Sequence, residues 1–208
     1  MLYDGYSYEP GKGQCAQFAY RIGYEFLKRR KMNCSQQERF REWNTRCTTS
    51  GSNLVLNQYM FKEIVQDDTI CISTLSFTRS RRQCVPEPIE CLIKILQYTN
   101  SVVLMSINYF SFPTDHDYNT GRPYFKPSND KYISHAICCV AYEDDEFICI
   151  DSHAFGNVSK VSSDSSGITY PYSVCTKRIS LSDIEIPSSL EYNDKIWIQS
   201  AVTVTVRC

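Results

Sequence analysis

Apolar residues recur at helical spacing near the start of the chain. Phe18, Ile22 and Phe26 lie four residues apart, and cations cluster at 28–31, where they suit the negative end of a helix dipole. This pattern predicts a helix over about 15–31. Similar spacing predicts three further helices, over about 36–45, 53–65 and 89–99.

Elsewhere the apolar residues form short β-branched runs that are typical of strands. They predict strands over 69–75, 102–109, 136–142, 147–150 and 196–206. The acidic run Glu143-Asp144-Asp145-Glu146 predicts a hairpin turn between two of them. Helices followed by strands are typical of an α+β fold. We therefore expect one catalytic domain over 1–208, with N-terminal helices packed on an antiparallel β-sheet.

Composition narrows the classes of function. A chain of 208 residues that is 42% hydrophobic can bury a core as one domain. The net charge of −1 predicts no nucleic-acid partner, and the apolar runs are too short to predict a membrane span. Residues 1–5 lack the basic and apolar regions of a secretory signal, which favours a cytoplasmic, intracellular protein. The short segment before Cys15 suggests a fragment of a longer protein.

Eleven cysteines are spread through the predicted helices and strands. An odd count without a loop-rich framework favours buried free thiols in a reducing compartment over a disulfide scaffold. The sequence contains no Cys-x-x-Cys pair, and the adjacent Cys138 and Cys139 are expected on opposite faces of a strand. We therefore expect neither a metal nor a cofactor.

Three residues suggest nucleophilic chemistry. Cys15 opens the first predicted helix, whose free N–H groups and dipole stabilise a thiolate. Asp151 and His153 follow the apolar run 147–150. A thiol hydrolase needs a nucleophile, a base and a group that orients the base, which these residues can supply in that order as Cys15, His153 and Asp151.

The same chemistry needs donors for an oxyanion. The backbone N–H of Cys15 is the natural first donor. A side-chain amide is a common second donor, and Gln14 is the nearest in the sequence. A direct neighbour of the nucleophile can also point away from it, so the second donor stays open between Gln14 and another group.

Two motifs resemble a known family. Gly11-Lys12-Gly13-Gln14-Cys15-Ala16 before a helix, and Phe147-Ile148-Cys149-Ile150-Asp151-Ser152-His153, are similar to the catalytic signature of the herpesvirus large tegument protein protease. They also resemble the wider group of tegument-like deubiquitinases. The segment from Trp43 to Tyr59 is similar to the region after the first helix of that family. The family uses a Gln well upstream of its Cys, and this chain has none before Gln14.

The resemblance implies a papain-like cysteine protease fold and a Cys15, Asp151, His153 triad. It implies a deubiquitinase that cleaves isopeptide bonds after the C-terminal Gly-Gly of ubiquitin or a ubiquitin-like protein. The expected partners are ubiquitin or a ubiquitin-like protein and ubiquitin chains, and neither nucleic acid nor a membrane is expected as a partner. The expected location is the cytoplasm of the source cell or of a host.

Two alternatives stay open. Cys15 with its following residues also resembles the papain motif, and Ser134-His135-Ala136-Ile137 resembles papain's His-Ala-Val. In that interpretation His135 is the base, Asp151 replaces the papain Asn, and the protein is a general cysteine protease. The second alternative is a catalytically inactive module that binds ubiquitin.

Overall fold

The computed structural model describes residues 15–46, 54–75, 88–98, 100–110, 132–151, 175–185 and 196–207. Four α-helices lie in these ranges: α1 (Cys15–Lys28), α2 (Cys34–Arg46), α3 (Leu54–Val65) and α4 (Pro88–Leu96). The strands are β1 (Ile70–Leu75), β2 (Ser101–Phe110), β3 (Tyr132–Glu143), β4 (Glu146–Asp151), β5 (Cys175–Ser180), β6 (Ile184–Glu185) and β7 (Ile196–Val206). The predicted helices and strands are all confirmed, with shifted ends.

Local structure explains where α1 ends and where α2 begins. α1 ends at Lys28, three residues before the predicted end, because Arg29 adopts a left-handed backbone with φ of 49°. α2 begins two residues before its predicted start because Asn33 caps it. The Asn33 side chain accepts from the N–H of Gln36, and the Gln36 side chain accepts from the N–H of Asn33.

One sheet contains every described strand. Its order is β1-β7-β2-β3-β4-β5, with all of these neighbours antiparallel, and β6 adds to β7 in parallel. The predicted turn between β3 and β4 is confirmed. Asp144 and Asp145 both have positive φ, at 51° and 60°, as in the tight turns that match the twist of a hairpin.

The two faces of the sheet have separate cores. On β3, Ala136 and Cys138 belong to the core that contains α1, α2 and α3, whereas Ile137 and Cys139 belong to the core that contains α4. The adjacent cysteines therefore lie on opposite faces, as the sequence predicted. The N-terminal helices pack on an antiparallel sheet as expected, and α4 adds a layer on its other face.

Candidate functional site

The site depends on how α1 lies across the sheet. Gly23 is its point of close approach, since a Cβ there would lie 3.1 Å from Val102, 3.2 Å from Leu104 and 3.5 Å from the sulfur of Cys138. The lack of a side chain thus lets α1 lie directly on β2 and β3.

The C-terminal end of α1 is anchored beside the start of β1. The Lys28 ammonium lies 2.8 Å from Asp67 and donates to the Thr69 hydroxyl at 2.6 Å. The Thr69 carbonyl accepts from the N–H of Arg207, directly after β7. In this antiparallel sheet, β7 and β3 end on the side where β1 and β2 begin. The C-terminal end of α1 therefore lies on that side of the sheet.

The opposite end of α1 carries Cys15. Eight residues separate Cys15 from Gly23, a rise of about 12 Å along the helix, or between three and four residues of strand. This distance carries the helix start toward the end of the sheet where β3 begins. β4 runs toward the same end, but it ends about level with Gly23, because Ile150 pairs with Cys138. Ile150, which directly precedes Asp151, shares the buried cluster of Cys15. The start of α1 and the end of β4 thus point to the same end of the sheet.

Cys15 is nearly buried, with 3% of its surface exposed. It is the first residue of α1, as predicted, and it belongs to the buried hydrophobic cluster on the α1 face of the sheet. The predicted first oxyanion donor, its backbone N–H, belongs to a first-turn residue whose N–H has no partner within the helix. A nucleophile in this position gains from the helix dipole.

Gln17 is a buried polar residue that sequence reasoning overlooked. Its side chain is fully buried, and neither amide atom has a hydrogen-bond partner among the described residues. At 100° per residue it lies about 200° around the helix from Cys15, on the side of Tyr24, which contacts Phe61 of α3. Gln17 therefore faces away from the thiol and does not supply the second oxyanion donor. A single Gln in an amphipathic helix carries no sequence signal for this position.

The remaining predicted site residues are described only in part. Asp151 is the last residue of β4 and pairs with Cys175 of β5. His153 and Gln14 lie outside the described residues. The structure therefore gives the backbone position of Asp151 and the environment of Cys15.

His135 lies on the other face of the sheet. It pairs with Ile107 of β2, and Ile107 belongs to the α4 core together with Ile137, the next residue on the same side of β3. His135 is itself 3% exposed. Because the sheet separates it from Cys15, this arrangement disfavours His135 as the base for that thiol.

A charged cluster lies at the opposite end of α1 from Cys15, around Asp67. Desolvation raises the pKa of Asp67, but hydrogen bonds from Lys28 and Thr69 and the Lys28 charge outweigh it and lower this pKa to about 2. A polar cleft of about 550 Å³ is lined there by Lys28, Arg39 and Asp67 among others. These groups already bond to protein partners, since Arg39 donates to Gln66. We interpret this cleft as part of the anchor of α1.

The cysteines only partly match the expectation of buried thiols. Cys138, Cys139 and Cys149 are buried, Cys71 and Cys91 are intermediate, and Cys34 is exposed at the start of α2. The expectation was wrong for Cys34, because it lies in the first turn of a polar helix whose buried residues are Gln36, Phe40 and Trp43. Among the described residues, no group of three or more His, Cys, Asp or Glu could hold a metal ion.

No protein family model, curated protein or solved structure matches this chain. Within the described ranges, no helix is long and apolar enough to cross a membrane.

Proposed function

We propose that the protein is a papain-like cysteine protease that acts as a deubiquitinase. In this proposal Cys15 attacks the carbonyl carbon after the Gly-Gly tail of ubiquitin or a ubiquitin-like protein. His153 accepts the thiol proton and returns it to the leaving amine, and Asp151 orients the imidazole. Water then hydrolyses the thioester and restores the thiol.

The observation that carries the proposal is that the start of α1 and the end of β4 point to the same end of the sheet. A nucleophile at a helix start and an Asp-x-His at a strand end must converge for a triad to form. Cys15 and Ile150 belong to one buried cluster, and Asp151 follows Ile150 directly. The motif resemblance supplies the substrate class, and the residue types supply the reaction class.

The proposal places a specific demand on the end of β4. Phe147 and Cys149 belong to the α4 core, and Ile150 belongs to the α1 core. Asp151 is still in register with Cys175 of β5, so for Asp151 and His153 to serve Cys15 the chain must turn toward the α1 side at Asp151 itself. A strand that continued with ideal alternation would take Asp151 to the α4 side instead.

Access to Cys15 sets a second demand. A thiol with 3% exposure reacts with a protein tail only if the residues that bury it leave a narrow channel or move apart. A Gly-Gly tail has no side chains, so it can enter a channel that excludes other peptides. This restriction favours a ubiquitin-type tail over general peptide substrates.

A paired substrate assay tests the function. The protein is incubated with isopeptide-linked ubiquitin dimers and, separately, with an unfolded protein that carries no ubiquitin. We expect cleavage of the dimers to single ubiquitin molecules and no cleavage of the unfolded protein. Cleavage of both substrates would indicate a general protease. Binding of the dimers without cleavage would indicate the inactive module.

A further inference from the structure

Two buried cysteines lie directly opposite each other on adjacent strands. Cys139 of β3 pairs in register with Cys149 of β4, and both side chains are fully buried. Their sulfur atoms lie 2.7 Å apart. Both residues belong to the α4 core, on the face of the sheet opposite Cys15.

We propose that Cys139 and Cys149 form a redox modification site, at which oxidation produces a disulfide that ties β3 to β4. Directly opposed residues of an antiparallel pair have Cα atoms about 4.5–5.5 Å apart, within the range that a disulfide spans. The bond therefore forms without moving either strand far. The proposal is independent of the proposed function, because the site lies on the other face of the sheet.

The reaction is a thiol–disulfide exchange with a low-molecular-weight disulfide such as oxidised glutathione. One cysteine thiolate attacks a sulfur of the reagent, which gives a mixed disulfide and releases one thiolate. The second cysteine thiolate then attacks the protein sulfur of the mixed disulfide and releases the other. In total one S–S bond forms in the protein, and two electrons and the two thiol protons pass to the reagent, which is reduced to two thiols.

Burial makes this site slow to react in the closed sheet. Desolvation raises the pKa of the Cys139 thiol well above its ordinary value, and the nearby Cys149 and Cys138 raise it further. The thiolate is thus scarce until β4 separates from β3. Exchange therefore depends on local opening of the hairpin, and the disulfide then holds the hairpin closed. Since Cys149 lies two residues before Asp151, oxidation fixes the strand that ends at the candidate site.

Cys138 offers a matched internal control. It is adjacent to Cys139 and equally buried, but it lies on the α1 face and pairs with Ile150, which has no sulfur. Cys138→Ser should therefore leave the cross-link unchanged. Cys139→Ser and Cys149→Ser should each abolish it.

The experiment equilibrates the full chain in glutathione buffers of rising oxidised fraction, with and without sub-denaturing urea to increase hairpin opening. Samples are quenched in acid, alkylated and digested, and the monomer fraction is mapped by mass. Trypsin leaves all three cysteines in the single peptide 132–160, so a glutamyl endopeptidase is added to cut after Glu143 and Glu146. Cys149 is then on a different fragment from Cys139, and only a disulfide holds the two fragments together.

We expect the joined fragments to accumulate with the oxidised fraction, to form faster in urea, and to separate on reduction. The thermal unfolding midpoint of the oxidised parent should rise, and it should return after reduction. The proposal is overturned if the urea arm reaches equilibrium without the joined fragments. It is equally overturned if Cys138→Ser removes them or if Cys139→Ser keeps them. Should Cys139→Ser fail to fold, fragmentation of the joined peptides from the parent still distinguishes Cys138 from Cys139.

Discussion

The two ends of α1 differ in the hydrogen bonds that the polar side chains there make. At the C-terminal end, Lys28 and Thr69 both contact Asp67, and the buried Gln36 side chain donates to the Tyr24 hydroxyl and the Val65 carbonyl. At the N-terminal end, Cys15 and Gln17 are buried, and the Gln17 amide has no partner within the described ranges. We expect the C-terminal end to contribute to the stability of the fold. We place the proposed cleavage reaction at the N-terminal end, so mutations at the two ends should affect the free energy of unfolding and turnover separately.

The largest expected effect is the loss of the nucleophile. Cys15→Ala should lower isopeptide cleavage by roughly a thousandfold or more, because the proposed acyl-enzyme forms on this thiol. Ubiquitin binding, measured by calorimetry, should persist. Cys34→Ser is the control, since this exposed cysteine at the start of α2 should be dispensable. Turnover of Cys15→Ala within tenfold of the parent would contradict the assignment.

The next prediction concerns the base. His153→Ala should lower turnover by on the order of a thousandfold, since proton transfer and orientation by Asp151 are lost together. His135→Ala should change turnover far less and should instead lower the free energy of unfolding, because His135 is buried on the α4 face. Steady-state kinetics and urea denaturation measure the two effects. The reverse result, with His135→Ala inactive and His153→Ala near the parent, would support the papain-type triad.

At the anchored end, Gln36→Ala should lower the free energy of unfolding by about 2 kcal/mol, because it removes two buried hydrogen bonds and the cap bond from the N–H of Asn33, and leaves the Val65 carbonyl unpaired. Urea denaturation measures the change, with the exposed Glu38→Ala on the same helix as the control. Turnover per folded molecule should stay near that of the parent. A loss of turnover as large as that of Cys15→Ala would show that the two ends are not separable.

Asp67→Asn should give the smallest effect, and one that depends on pH. The pKa of Asp67 in the folded protein is about 2, below its ordinary value of 3.8, so the ionised carboxylate favours folding. This contribution is present above about pH 4 and is lost as the pH falls toward 2. Because Asp67 is partly exposed, we expect a difference on the order of 1 kcal/mol at neutral pH. Urea denaturation at neutral and acid pH should show it shrinking on acidification, and a difference independent of pH would contradict this cause.

Much of the fold follows from local sequence patterns. The spacing of Phe18, Ile22 and Phe26 locates α1, and the run 143–146 locates the hairpin turn. The strand β5 was not predicted, because apolar and polar residues do not alternate regularly in Cys175–Ser180, which includes two adjacent cations. Neither was β6, a strand of two residues whose pairing with β7 is not local.

For the candidate site, the ends of the elements were predictable from the sequence, but the faces on which side chains lie were not. The helix start at Cys15 and the strand end at Asp151 follow from apolar patterns, and both positions are confirmed. The face occupied by His135 was not predictable, because it depends on which side of β3 packs against α1. That choice is set by non-local contacts such as the approach of Gly23 to Cys138. The burial of Gln17 likewise depends on contacts from distant parts of the chain.

The most direct test of the central claim is a reaction with ubiquitin that carries a C-terminal electrophile, followed by mass mapping of the modified cysteine. Trypsin releases Cys15 in the peptide 13–21, where it is the only cysteine. We predict one ubiquitin adduct per chain, located on Cys15, and no adduct with Cys15→Ser. An adduct on Cys34 or another cysteine with Cys15 unmodified, or no adduct on the folded protein, would contradict the claim that the start of α1 and the end of β4 form a thiol-protease site.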